Sequence, residues 1–487
     1  MFKRFVKGFL PMLLALSLLL CGCSDDPDVS GGGASSGTGA ASDTYKLPVI
    51  EDVSGTVRYA VRDNVREETE IWLESFNEMY PNITVELVEF TGDLQNFLST
   101  QATAGKMPDV VLGWDNLSPF ALQGWLYPLD EFLAKDDEAQ YIHQTSLEGF
   151  RYEGKIYALP AWLQFSSMIV NLDLCRDLNM DPPDYDWTMD EFLNMAKKAT
   201  STINSGINHV ESLDQYLMMQ IEETGHQWGY NPETKSFNLT SGAFTQAVSF
   251  TSDMLKISQL VADSMRNEEI TKAGGLDDYS KKFGAKADGL ADGKILIACQ
   301  STWDDSWMNT SLTKFKWDYY PIPAPTKEQS KQIVHADYGL MLSTAKDPQA
   351  AYELLKFITF GKDGLITRME LQNRRNKDNP TNNRFTIPSS SHPDVSARFN
   401  GYEQVPDGVK YMYNHMDKSV KGDYSKVLPD YWTVVNDNIY KAKELIEQGQ
   451  DAATVAKETE KKINEEFAKS YAVFAEKMQK VQQDFKG

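Results

Sequence analysis

The chain predicts an α/β fold in more than one folding unit, on three observations. Its 487 residues exceed what one ordinary hydrophobic core holds. Its apolar, aromatic and charged fractions are those of a globular protein able to bury a sizeable core. From residue 55 onward, stretches of period 2 and period 3.6 alternate as strand, helix and strand.

The N-terminus precedes that pattern. Met1, Phe2, Lys3, Arg4 and Lys7 lead into "GFLPMLLALSLLLCGC", a basic start followed by about a dozen apolar residues, which reads as a secretory signal too short to span a bilayer comfortably. "LCGC" at Leu20 to Cys23 resembles the lipobox of bacterial lipoproteins, with Gly22 before the cleavage point and Cys23 as the lipid acceptor. Signal peptide 1–22 and flexible tether 23–50 are therefore expected, with two or more acyl chains holding the protein to a membrane. The tether sequence "SDDPDVSGGGASSGTGAA" has almost nothing to bury, and its Gly-x-Gly follows no strand, which excludes a dinucleotide site.

The folded part opens with "GTVRYAV", apolar and β-prone. "EETEIWLESFNEMYP" follows, with Ile71, Trp72, Phe76 and Met79 at helical spacing and Pro81 as a stop. "NITVELVEF" alternates as a strand. "LQNFLSTQATAGKMPDVVLGW" then repeats the unit and delivers Trp114 and Asp115 to the carboxyl end of a strand, where ligands gather in open α/β sheets.

"YEGKIYALPAWLQFSSMIVNLDL" carries strand signals on both sides of Pro160, and Thr188 is placed to cap the helix after the Pro182-Pro183 turn. Helical segments continue to "DGKILIACQSTWDDSW", Asp292 to Trp307, where an apolar strand ends in two tryptophans flanking two aspartates. "KWDYYPIPAP", "HADYGLMLSTA" and the helix "PQAAYELLKFITF" come next. Arg374 to Asn383 reads as a surface loop, and from Tyr431 the chain is a long amphipathic helical region. No repeat of fixed period is present.

Composition narrows the partners. The formal net charge of −22, more negative once Lys3, Arg4 and Lys7 leave with the signal, repels nucleic acid and anionic lipid. Of four cysteines, Cys175 and Cys299 remain in the mature body without metal-site spacing, as a disulfide or as two buried thiols. Six histidines do not cluster, and no Gly-x-Ser-x-Gly or HExxH is present. Acidic loops such as Asp277 and Asp278 read as solvated, so neither metal nor cofactor is expected.

"WLESFNEMYPNITVE", "AGKMPDVV", "LQGWLYPLD", "YEGKIYALP", "LADGKILI", "YYPIPAP" and "DPQAAYELLKFI", in this order and spacing from about Gly55 to about Phe467, resemble the extracellular solute-binding proteins of carbohydrate ABC transporters, the maltose-binding-protein-like family. The resemblance implies a two-lobed periplasmic-binding-protein-like α/β fold of the class II type, its discontinuous lobes joined by hinge strands. A first lobe of 51–162 and 338–400 and a second of 163–337 and 401–487 are expected, with hinges near Pro160 to Phe165 and near His335 to Ala336. Function follows as capture of a mono- or oligosaccharide between the lobes and delivery to the permease subunits of an ABC transporter. The protein is then a monomer on the extracytoplasmic face of a bacterial cell membrane, tethered through Cys23 and not an enzyme.

A sugar ring has an apolar face and a rim of hydroxyls, so its site needs flat aromatics beside carboxylates or amides. Trp303 falls where the family places a stacking aromatic after a "GKILIA"-like strand. Asp115 and Trp114 fall in the loop after "PDVV" that meets ligand hydroxyls. Trp432 in "LPDYWTVV" matches a stacking aromatic ahead of the final helices. Trp162 and Gln164 lie at the crossover, and Tyr279, Trp228 and Tyr338 complete the candidates. Most other tryptophans, such as Trp72, are expected in the core. Three rival functions remain: a secreted glycoside-active enzyme using Asp304 with Asp305 or Glu222 with Glu223, an adhesin or structural lipoprotein, and a binding protein for a non-sugar solute.

Overall fold

The computed structural model describes residues 45–208, 213–258, 278–284, 287–379 and 384–485. The signal, most of the tether, Cys23 and Asp277 lie outside the described residues.

The predicted opening unit is present. β1 (Gly55–Arg62) and β2 (Ile83–Phe90) pair in parallel around helix α1 (Arg66–Met79). Trp72, Leu73, Phe76 and Met79 of α1 are buried, but Ile71 is exposed, because the buried stripe runs through Thr69, Trp72 and Phe76 and leaves Ile71 a third of a turn away. Helix α2 (Leu94–Thr103), capped by Asp93, leads to β3 (Val110–Gly113), which pairs in parallel with β1.

After a short hairpin of β4 (Arg151–Tyr152) and β5 (Lys155–Ile156), the chain enters β6 (Leu159–Asn171). Pro160 lies inside this strand, near its start, where a missing N–H costs the ladder least. Helix α3 (Met189–Ala199) begins with the expected Thr188 cap, closed into a capping box by Glu191. β7 (Ser205–Ile207), β8 (Ile295–Ser301), β9 (Trp317–Pro321), β10 (Gln332–Met341) and β11 (Ser419–Lys421) complete the strands among the described residues.

Nine of these strands form one sheet in the order β2-β1-β3-β10-β6-β8-β7, with β9 on β6 and β11 on β10. Two long strands carry it from one half to the other. β6 pairs with β10 from Leu159 to Phe165, then with β8 and β9 from Ser166 onward. The change of partner falls between Phe165 and Ser166, next to the segment expected as a hinge.

Helix α4 (Pro348–Ile358) packs beside α1, and Phe76 meets Phe357 edge-on at 5.3 Å. Helix α5 (Lys362–Asp378) corrects the sequence reading, which made a loop of Arg374 to Asn383. Its last turn is helical because Arg375 pairs with Glu68 of α1 and the buried Asn376 amide exchanges two hydrogen bonds with the Arg384 backbone.

The final helix, α6 (Ala452–Asp484), touches both halves. Its Glu460 accepts from the Leu239 and Thr240 N–H groups at 2.8 Å, and Asn464 bonds both backbone groups of Phe237. Further along, Gln482 donates to the carbonyls of Tyr152 and Glu153, and Phe485, just past the helix, meets Tyr127 edge-on.

Candidate functional site

Where β6 and β10 cross between the halves, side chains alternate about the sheet. In these two strands only Trp162, Gln164, His335 and Asp337 are partly exposed; every other residue is buried. The register sets His335 opposite Gln164 and Asp337 opposite Trp162, so the four form one patch. This is a polar and aromatic floor.

The floor is fixed by hydrogen bonds. Trp162 donates its indole N–H to Asp337 at 2.7 Å, and the Lys426 ammonium reaches the other carboxylate oxygen at 2.7 Å. Ser166 Oγ and His335 Nε2 lie 2.7 Å apart, and burial pushes the His335 imidazole down to about 4, so the ring is neutral at neutral pH. Beneath, Asp423 accepts from the Ala336 N–H and pairs with Lys421 at 2.6 Å and Lys426 at 3.3 Å.

One wall rises from β8. Thr302 Oγ1 donates to Gln164 and accepts from the Phe165 N–H, which pins the turn that presents Trp303. The Trp303 indole meets the His335 ring edge-on at 5.1 Å and keeps 47% of its surface open. After it, Asp305 accepts from the N–H groups of Ser306 and Phe385 and burial raises its carboxyl to about 6. Burial also raises Asp304.

The opposite wall rises from β3. Trp114 is 46% exposed, and the Tyr338 hydroxyl of β10 donates to the Asp115 carbonyl at 2.9 Å. Arg62, at the end of β1, lies 4.0 Å from the Trp114 ring centroid and 3.4 Å from the Asp115 carboxylate. Burial raises Asp115 while Arg62 opposes the shift. Asn116 ties this loop to the segment that follows β11, donating to the carbonyls of Ser425 and Leu428 at 2.6 and 2.9 Å.

That segment leads to Trp432, 57% exposed in a π-helical turn entered through a left-handed Asp430 with φ 51°. π-turns of this kind recur at functional sites. Trp228, expected in the site, is 3% exposed and instead donates to the Tyr431 hydroxyl at 3.2 Å, so it supports the turn from within the core. Tyr338 is likewise fully buried and acts on Asp115 from behind. Tyr279 sits on a short helix, Asp278–Phe283, and its side chain lies outside the described ones.

The structure therefore brings Trp303, Gln164 and Trp162 together, with Asp115 and Trp114 tied to the same strand. Trp303 rests on His335 and Asp115 hangs from Tyr338, three residues along β10, about 10 Å at strand rise. Sequence reasoning missed Arg62, His335, Asp337 and Lys426 as site residues. For His335 and Asp337 the signal was the alternation in "HADYG" that sets them on one face.

Cys175 and Cys299 are free, and burial pushes their thiols up to about 11 and about 12, so neither is a nucleophile at neutral pH. Glu222, one of the acids weighed for catalysis, is engaged by the Ser241 hydroxyl. Among the described residues no group of three or more His, Cys, Asp or Glu converges to hold a metal ion. What the arrangement offers chemically is flat indoles beside carboxylates, an amide and an imidazole, suited to binding a polyhydroxylated solute.

The model of the family described as bacterial extracellular solute-binding protein matches residues 54–360. Solved structures agree over the folded part. The ABC substrate-binding protein Lmo0181 from Listeria monocytogenes, in complex with cycloalternan, is 16% identical and superposes with a TM-score of 0.60 over 85% of this chain and 99% of its own. The sugar-binding protein MalE from Xanthomonas citri is 14% identical, with a TM-score of 0.61 over 86% and 99%. A solute-binding protein from Thermotoga lettingae bound to alpha-D-tagatose is 17% identical, with a TM-score of 0.57 over 85% and 100%. The fold is thus the two-lobed periplasmic-binding one.

Proposed function

Since the chain belongs to the bacterial extracellular solute-binding proteins, with an extracytoplasmic location, we propose that it captures a mono- or oligosaccharide between its two halves and delivers it to the permease subunits of an ABC transporter. The observation that carries this reading is the strand β10, from which His335 supports Trp303 on one side and Tyr338 supports Asp115 on the other. Closure about the β6–β10 crossing brings an indole from one half against an acid and an indole from the other. A sugar ring is the solute that uses both surfaces. The cycloalternan and alpha-D-tagatose held by two neighbours of the same fold agree with that class.

In this reading Trp303, Asp115, Trp114, Trp432, Trp162 and Gln164 face the solute, while Trp228 and Tyr338 act behind them. Cys23 carries the lipid anchor, the protein works as a monomer and it turns nothing over. The two halves correspond to a first lobe of 51–162 and 338–400 and a second containing the rest, with α6 spanning both.

Thermal unfolding of the soluble domain from Thr44, against oligosaccharides, monosaccharides, amino acids and polyamines, tests the assignment. A solute at a hundred times its Kd adds about 2.7 kcal/mol of stability, seen as a rise in Tm. A sugar-induced rise that disappears in Trp303→Ala is expected. A rise with a non-sugar solute alone overturns the sugar class, and new reducing ends on incubation with oligosaccharides overturn the absence of catalysis. Radiolabelled palmitate incorporation that survives Cys23→Ala removes the anchor.

A further inference from the structure

The Arg62 side chain is enclosed in a way that a mere surface ion pair does not require. Its guanidinium carbon lies 4.9 Å from the Phe90 ring centroid and 4.0 Å from that of Trp114, so the cation is within cation–π reach of two aromatic rings. One terminal nitrogen donates to the Gly92 carbonyl at 2.6 Å and the other approaches Asp115 Oδ2 at 3.4 Å. Nε is buried without a partner. Its place is therefore set by stacking and by two acceptors, not by complete hydrogen bonding.

Trp114 is nearly half exposed although Arg62 covers part of its surface, so the open part of the indole faces away from the guanidinium. Asp115 meets Arg62 through Oδ2 alone, and its side chain keeps part of its surface open. We propose that Arg62 is the positioning residue of this wall: it clamps Trp114 and Asp115 in one arrangement, so that one indole face and one carboxylate oxygen are presented to the solute. This inference rests on the reading that Trp114 and Asp115 meet the solute.

Two contributions are separable. Stacking needs the planar guanidinium, whereas charge on Asp115 needs only a cation. The charged groups facing Asp115 are Arg62 from β1, Asp93 from the turn before α2 and Lys426 from the segment after β11. With Arg62 removed, Asp93 opposes Lys426, desolvation dominates, and the carboxyl protonates at higher pH.

The test compares wild type with Arg62→Met and Arg62→Lys. The Asp115 carboxyl is titrated by carbon-13 NMR in the solute-free protein. Affinity is measured with whichever of maltotriose, xylotriose or raffinose raises the wild-type Tm. In Arg62→Met the Asp115 midpoint moves up and the probe binds about tenfold more weakly, the loss growing as pH falls towards that raised midpoint. In Arg62→Lys the midpoint returns towards wild type while the affinity does not, because an ammonium cannot stack on Trp114. A residue that only supported the fold would move neither midpoint nor pH profile apart from Tm. An unchanged Asp115 midpoint in Arg62→Met overturns the clamp. That result needs no solute, so it is distinct from failure of the sugar reading, in which no sugar shifts the wild-type Tm.

Discussion

The Trp162 indole donates its N–H to Asp337 Oδ2 at 2.7 Å, directly across the β6–β10 pair where the two halves of the sheet meet. Trp162→Phe keeps an aromatic ring, though a smaller one, and deletes the donor, leaving Lys426 as the charged partner of Asp337. A hydrogen bond to a charged group contributes roughly 1.5–3 kcal/mol, so urea unfolding is expected to show a loss of that order with an unchanged m-value.

Asp423 is buried beneath the floor between Lys421 and Lys426. Burial pushes its carboxyl up, but the two lysines, His335 and the Lys421 hydrogen bond outweigh it and hold it well below the usual carboxylate range. A depressed folded pKa gives stability that is complete above the unfolded value near 4 and is lost as pH falls below it. Asp423→Asn is expected to cost about 3–5 kcal/mol at neutral pH. Its stability should then fall less steeply than that of wild type below about pH 4.

Asp305 behaves in the opposite sense. Its carboxyl is raised to about 6, mainly by burial, so the folded state holds its proton more tightly than the unfolded state does. Stability therefore falls as pH rises from about 4 to about 6, and the cost persists above. Asn can still accept from the N–H groups of Ser306 and Phe385. Asp305→Asn is expected to stabilise the protein at pH 7 by something on the order of 2 kcal/mol, with the gain vanishing towards pH 4. Chemical denaturation at several pH values reads this, and a gain independent of pH would exclude the carboxyl as its source.

The Thr188 capping box is local and leaves the cleft alone. Thr188→Ala removes the acceptor for the Glu191 N–H and should cost about 0.5–2 kcal/mol. Solute affinity should be unaffected, which makes this variant the control for those in the site.

Much of this architecture was legible in the sequence because its cues are local. The alternation of "NITVELVEF", the helical spacing of Trp72, Phe76 and Met79, and the Thr188 cap each depend on near neighbours, and each appears where expected. The last turn of α5 was misread because Arg374 to Asn383 is polar throughout. What makes it helical is Glu68 of α1, which pairs with Arg375, together with Arg384, whose backbone Asn376 bonds.

The site divided along the same line. Trp303 and Trp228 look alike as tryptophans in polar surroundings, but Trp228 is buried against Tyr431, 203 residues away, and no local pattern carries that contact. Arg62 escaped for the same reason, since its role exists only once β2 and the loop after β3 bring Phe90 and Trp114 within cation–π reach of it.

The order of the strands also governs how the chain comes together. β3 finds its antiparallel neighbour only in β10, where Val110 meets Met341, and the Tyr152 carbonyl is satisfied by Gln482. During vectorial synthesis the first half of the chain thus presents an open sheet edge until the second half has followed, and its outer surface is not covered until the last helix arrives. Contacts this distant in sequence slow folding and leave a strand edge able to recruit other chains. Folding from the N-terminus alone cannot complete either half, because each closes only on a strand and a helix that follow it in the chain.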